Sequence, residues 1–150
     1  MLKITNPTTE SVIHELEEDT PATIAQKFKT AQEGQRLWAR TPLPDRLKAV
    51  RRFRDIIETR KDKLAVILTG ETGKPVAQAR NELNGLRPRI DFFLDQIEKT
   101  TADTVVLNDP AQKLEERISR EPLGVIANIS AWNYPYFVGS NVFVPALLTG

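Results

Sequence analysis

The sequence contains no cysteine and a single histidine, His14. Without cysteine there can be no disulfide, no thiolate nucleophile and no Cys-ligated zinc or iron–sulfur centre. One histidine forbids a multi-histidine metal site, so no metal is expected. A charge excess of one sign is lacking too. Twenty-one Lys and Arg stand against 20 Asp and Glu, a net charge of +1, so neither nucleic acid nor an anionic membrane is an expected partner. No window approaches the ~20 consecutive apolar residues of a membrane span. The first residues have neither the apolar centre of a secretory leader nor the Arg-rich, acid-poor bias of a transit peptide, and a reducing cytoplasm is the expected location. Two common nucleotide and hydrolase signatures, Gly-x-Gly-x-x-Gly and Gly-x-Ser-x-Gly, are missing. Gly70-Glu71-Thr72-Gly73-Lys74-Pro75 only superficially matches a phosphate loop. Two residues separate its glycines where four are needed, and Pro75 replaces the hydroxyl residue that would hold magnesium. A tight turn between helices, with Gly73 at positive φ, is the better account.

What is present suits one globular domain. A chain of 150 residues that folds alone is expected to bury about 70% of its unfolded surface. Residues 2–16 read as a hairpin around the turn Asn6-Pro7-Thr8-Thr9. Thr20 then Pro21 marks a helix start, with Ile24, Phe28 and Ala31 on one face. A second helix begins near Pro42. Its apolar stripe is Leu47, Val50, Phe53 and Ile57, and its basic residues Lys48, Arg51 and Arg52 form a solvated opposite face. A third helix opens after Pro75 and should bend at Pro88.

Beyond it, residues 104–120 suggest a two-stranded polar ribbon that cannot make its own core and should lie on something else. Residues 124–129, Gly-Val-Ile-Ala-Asn-Ile, read as a strand of the kind buried on both faces of a parallel sheet. Helices followed by such a strand and another helix give an α/β class.

The segment Ile129-Ser130-Ala131-Trp132-Asn133-Tyr134-Pro135 holds the candidate site. It follows the expected strand and precedes a helix opened by Pro135, the position where open α/β sheets bind ligands. The Asn133 amide offers two uncharged, non-titrating N–H donors. Such a donor can stabilise charge developing on a carbonyl oxygen, an effect worth roughly 3–4 kcal/mol when preorganised. On the residues alone, Asn133 capping the helix and Trp132 filling core is the competing account.

Residues 120–135, Arg-Glu-Pro-Leu-Gly-Val-Ile-Ala-Asn-Ile-Ser-Ala-Trp-Asn-Tyr-Pro, together with Pro145-Ala146-Leu147-Leu148-Thr149-Gly150, closely resemble the aldehyde dehydrogenase superfamily. The turn Glu71-Thr72-Gly73-Lys74-Pro75, residues 38–46 and the Asn6-Pro7 turn are similar to the family's amino-terminal part, so the resemblance runs along essentially the whole chain. Ala131 stands where many members carry Pro.

The resemblance implies the amino-terminal portion of the family's fold: helices, the start of a Rossmann-like parallel sheet and a β-ribbon arm, all within an incomplete cofactor-binding domain over residues 1–150. It implies NAD- or NADP-dependent oxidation of a small-molecule aldehyde to an acid, in which a cysteine thiolate attacks, a hydride leaves for nicotinamide and a glutamate activates water. Asn133 matches the family's oxyanion-stabilising asparagine. Ile129, Ser130, Ala131 and Trp132 match its cofactor-cleft segment, and residues 101–122 resemble its oligomerisation arm, which implies a homo-oligomer.

The family is several times longer, and its cysteine and glutamate have no counterpart here. The apolar run at residues 145–150 reads as a core cut through. The chain alone is therefore expected to be inactive. A truncated paralogue that serves as an interaction module for a full-length subunit is the alternative.

Overall fold

The computed structural model describes residues 1–150. Its elements are β1 (Leu2–Thr5), β2 (Val12–Leu16), α1 (Pro21–Ala39), α2 (Leu43–Thr72), α3 (Val76–Thr101), β3 (Thr104–Asp109), β4 (Leu114–Ile118) and α4 (Pro135–Thr149). The β1–β2 hairpin forms as expected, its turn closed by Asn6 Oδ1, which accepts from the backbone N–H of Thr8 at 2.8 Å. Thr20 caps α1, its hydroxyl accepting the Thr23 N–H at 3.2 Å while Thr23 Oγ1 accepts the Thr20 N–H at 2.9 Å. Gly73 ends α2 at φ 72, the left-handed value anticipated for it. Helix α3 runs on through Pro88 to Thr101.

The core lies where α2, α3 and α4 meet. Leu47 and Val50 of α2, Ile90, Leu94 and Ile97 of α3, and Val144 and Leu148 of α4 form one buried cluster. A second gathers Ala65, Leu68, Ala79, Leu83 and Leu86 between α2 and α3. Of the stripe expected on α2, Leu47 and Val50 are buried, Ile57 packs at the margin and Phe53 stays 38% exposed. Polar contacts brace the layers: Arg54 of α2 pairs with Asp91 of α3, and Arg89 Nε donates to Asn141 Oδ1 of α4 at 2.6 Å.

Two expectations need correction. First, residues 124–129 form no strand, and the only sheets are the two antiparallel pairs β1–β2 and β3–β4. A strand of a parallel sheet has no hydrogen-bonding partner until its neighbours are present, and this chain supplies none. Ile129 is 96% exposed accordingly. The α/β class thus holds in its helices and ribbons, without the start of a parallel sheet.

Second, the accessible surface is 10,818 Å², against about 7,700 Å² for a compact protein of this mass. Burial is nearer 56% of the unfolded surface than the 70% expected. The apolar face of α1 forms and lies uncovered: Ile24 and Phe28 are 56% and 52% exposed, and α1 buries no residue. The ribbon β3–β4 is likewise a free-standing antiparallel pair, exposed along all of β4. Arg120 Nη1 fastens its base by donating to Ala102 O at 2.6 Å. No helix is long and apolar enough to cross a membrane.

Candidate active site

The segment from Ile129 to Tyr134 connects the irregular stretch after β4 to the first turn of α4. Two contacts fix its start. Asn128 Nδ2 donates to Gly139 O at 3.2 Å, and Ser130 Oγ lies so close to α4 that a Cβ on Gly139 would stand 2.5 Å from it. Gly139 is therefore a close-approach glycine, where the loop lies directly on the helix backbone. Ser130 turns toward the helix and is half-buried, as is Ala131. Ile129 and Trp132 stand free, at 96% and 82% exposure. Among the four residues matched to a cofactor cleft, the structure thus presents two large apolar side chains outward and holds Ser130 against the protein.

Asn133 lies in the turn immediately before α4 and is exposed. The N-cap of α4 is Tyr134, at φ −143 and ψ 58, and no side chain of its own segment caps the helix. Trp132 does not fill core either. The Asn133 amide makes no hydrogen bond within the chain, so both of its N–H donors are available to a ligand.

A buried carboxylate from another helix satisfies the start of α4. Glu82 Oε1 of α3 accepts the backbone N–H of Tyr136 at 2.8 Å and that of Phe137 at 3.2 Å. Glu82 Oε2 accepts from Lys74 Nζ at 2.6 Å, and the side chains are 0% and 9% exposed. Lys74 Nζ also sits 3.8 Å from the centroid of the Tyr134 ring. A negative charge at a helix N-terminus is favoured by the macrodipole as well as by the free amides. Burial, with the carboxylates of Glu71 and Glu82 adding to it, holds the Tyr136 phenol above its usual ionisation range.

Sequence reasoning sets Lys74 in a turn and does not find Glu82. The signal was there: Ala79, Leu83, Leu86 and Ile90 mark the buried stripe of α3, and Glu82 falls on it. A charged residue on a core stripe requires a partner.

The largest cavity, about 320 Å³, lies elsewhere, between α1, α4 and residues 124–128. It is lined mainly by Trp38, Val125, Ile126, Phe143 and Leu147, and Asn133 takes no part in it. No group of three or more His, Cys, Asp or Glu side chains is gathered to hold a metal ion.

Residues 1–150 match the sequence model of the aldehyde dehydrogenase family. The probable succinate-semialdehyde dehydrogenase (NADP(+)) of Synechocystis sp. is 32% identical over 145 residues, covering 97% of this chain and 31% of that protein. The 3,6-anhydro-alpha-L-galactose dehydrogenase of Streptomyces coelicolor is 30% identical over 149 residues, covering 99% and 30%. The crystal structure of an aldehyde dehydrogenase from Brucella melitensis biovar abortus 2308 superposes with a TM-score of 0.89 at 30% identity, over 98% of this chain and 30% of that one. The chain spans about a third of the length of the relatives it matches.

Proposed function

The chain belongs to the aldehyde dehydrogenase family, and from that premise we propose that it supplies the oxyanion donor and part of the cofactor cleft for NAD(P)-dependent oxidation of an aldehyde to a carboxylic acid. The observation that carries this reading is the free amide of Asn133, exposed at the mouth of α4 and bonded to nothing in its own chain. When a nucleophile attacks an aldehyde, the carbonyl oxygen gains charge. A neutral amide held ready beside it stabilises that oxygen more than the ground-state carbonyl, without titrating over the working pH range. The attacking group must be a thiolate supplied from outside this chain, which has no cysteine.

The nicotinamide dinucleotide, when bound, takes up the hydride. Ile129, Ser130, Ala131 and Trp132 are the residues of this chain assigned to hold it. Two exposed apolar side chains, Ile129 and Trp132, suit packing against the flat ring faces such a cofactor presents. NAD and NADP are both compatible with these four residues, none of which is charged. A reducing cytoplasm suits chemistry that needs a free thiolate.

The polar ribbon over residues 101–122 is read as an oligomerisation arm. Its two strands have open edges and no core of their own, the form that adds to another sheet. The same ribbon favours a second reading, an interaction module that docks on a full-length subunit. Co-purification of the two as a defined oligomer would support that reading.

The functional test joins this chain to the two thirds of the Synechocystis relative that it does not match. That hybrid is expected to reduce NADP in the presence of an aldehyde, while the 150-residue chain alone gives no NAD(P)H with any aldehyde. A folded hybrid that binds NADP and turns over no aldehyde overturns the proposal.

A further inference from the structure

The role of Asn133 demands that its amide be held still, yet nothing in its own segment holds it. Preorganised donors lose their advantage when they must be ordered during the reaction. The ordering comes instead from Lys74 at the α2–α3 turn and Glu82 in the second turn of α3, 59 and 51 residues earlier in the chain. We propose that Glu82, braced by Lys74, is a positioning residue for Asn133. This inference rests on the oxyanion role proposed above.

The geometry grips the chain on the carboxyl side of Asn133 at two successive places. The Tyr134 ring lies under Lys74 Nζ at 3.8 Å, and the N–H groups of Tyr136 and Phe137 meet Glu82 Oε1 at 2.8 and 3.2 Å. Between Tyr134 and Tyr136 stands Pro135, whose ring fixes φ. A loop clamped this way has little torsional freedom left at its last residues, so the direction in which Asn133 leaves the turn is set by α3.

The clamp is also internally complete. Both oxygens of Glu82 are engaged, one by Lys74 and one by the α4 backbone, and the carboxylate is fully buried. A buried charge without those partners would be unstable, so Lys74 and the α4 amides are required together. A residue serving stability alone would more cheaply be apolar at this place on the α3 stripe, between Ala79 and Leu83. An acceptor at this place does what no apolar side chain can: it anchors the start of another helix.

The test is amide hydrogen exchange and ¹⁵N relaxation on the full chain, comparing wild type with Glu82→Ala and with the double variant Lys74→Met/Glu82→Gln. Glu82→Ala should speed exchange at Tyr136 and Phe137 by roughly tenfold or more relative to Ile90 in the middle of α3, and should raise the mobility of the Asn133 side-chain amide. The double variant keeps a carbonyl acceptor and leaves no unpaired charge, so it should restore protection at Tyr136 and Phe137, while order at Asn133 returns only in part because the Lys74 contact with the Tyr134 ring is gone.

A general loss of stability would move Ile90 along with them, and the ratio separates the two. Uniform acceleration at Ile90, Tyr136 and Phe137 overturns the proposal. So does an Asn133 amide whose mobility is the same in all three proteins. Neither readout depends on catalysis, so failure here is distinct from failure of the oxyanion role, which only turnover reports.

Discussion

Gly73 and Pro7 approach so closely that a Cβ on Gly73 would lie 2.8 Å from Pro7 Cγ. The turn between α2 and α3 thus carries two constraints at one residue, a left-handed φ of 72 and contact with the amino-terminal hairpin turn. Both bear on the candidate site, because the next residue is Lys74. Gly73→Ala should destabilise the chain by about 1–3 kcal/mol, combining the left-handed penalty with displacement of Pro7. Gly70→Ala is the control. Its Cβ would meet nothing within 4 Å inside α2, so it should stabilise by up to about 1 kcal/mol. Paired thermal melts read the difference in sign.

Removing Lys74 leaves the buried Glu82 carboxylate facing only the two α4 amides. Lys74→Met should cost about 3–5 kcal/mol in urea denaturation. Lys74→Met/Glu82→Gln should recover most of that loss, because it removes both charges and keeps an acceptor. A double variant as unstable as the single one would show that the ion pair is not the source of the cost.

The Tyr136 phenol, raised by burial and then by Glu71 and Glu82, should ionise above the ordinary tyrosine value of 10.0 in an ultraviolet titration. Its folded pKa exceeds its unfolded one, so its contribution to stability is fully present below pH 10 and is lost as pH rises through the folded value. Tyr136→Phe should delete this late component of the titration.

Core and surface apolar residues should separate sharply. Ile90, fully buried between α2 and α4, should cost about 2–5 kcal/mol on substitution by Ala. Ile24→Ala on the uncovered face of α1 should stay within about 0.5 kcal/mol in this chain.

Local signals were legible in the sequence wherever the determinant lies within a turn or two of chain. Thr20 before Pro21, Gly73 after a helix and Pro135 at a first turn each specify their own neighbourhood and were read correctly. The ribbon was legible as the run Thr104-Val105-Val106-Leu107, a turn at Asn108-Asp109-Pro110 and the polar run from Lys113 to Arg120. Residues 124–129 were misread because a β-rich apolar run states a preference that only pairing partners can satisfy, and pairing is not local. Asn133 is proposed from its chemistry and its place before Pro135. That it is free rather than capping was not readable, because the cap comes from Glu82, 54 residues before Tyr136. An acid on the buried stripe of α3 announces that a partner exists without saying which one.

The most direct test of the account is the steady-state kinetics of Asn133→Ala in the hybrid enzyme. The account predicts that kcat falls by roughly 10²–10³-fold while the KM for aldehyde changes little, since the amide acts on charge that exists only in the transition state. A kcat equal to that of the unsubstituted hybrid would contradict it.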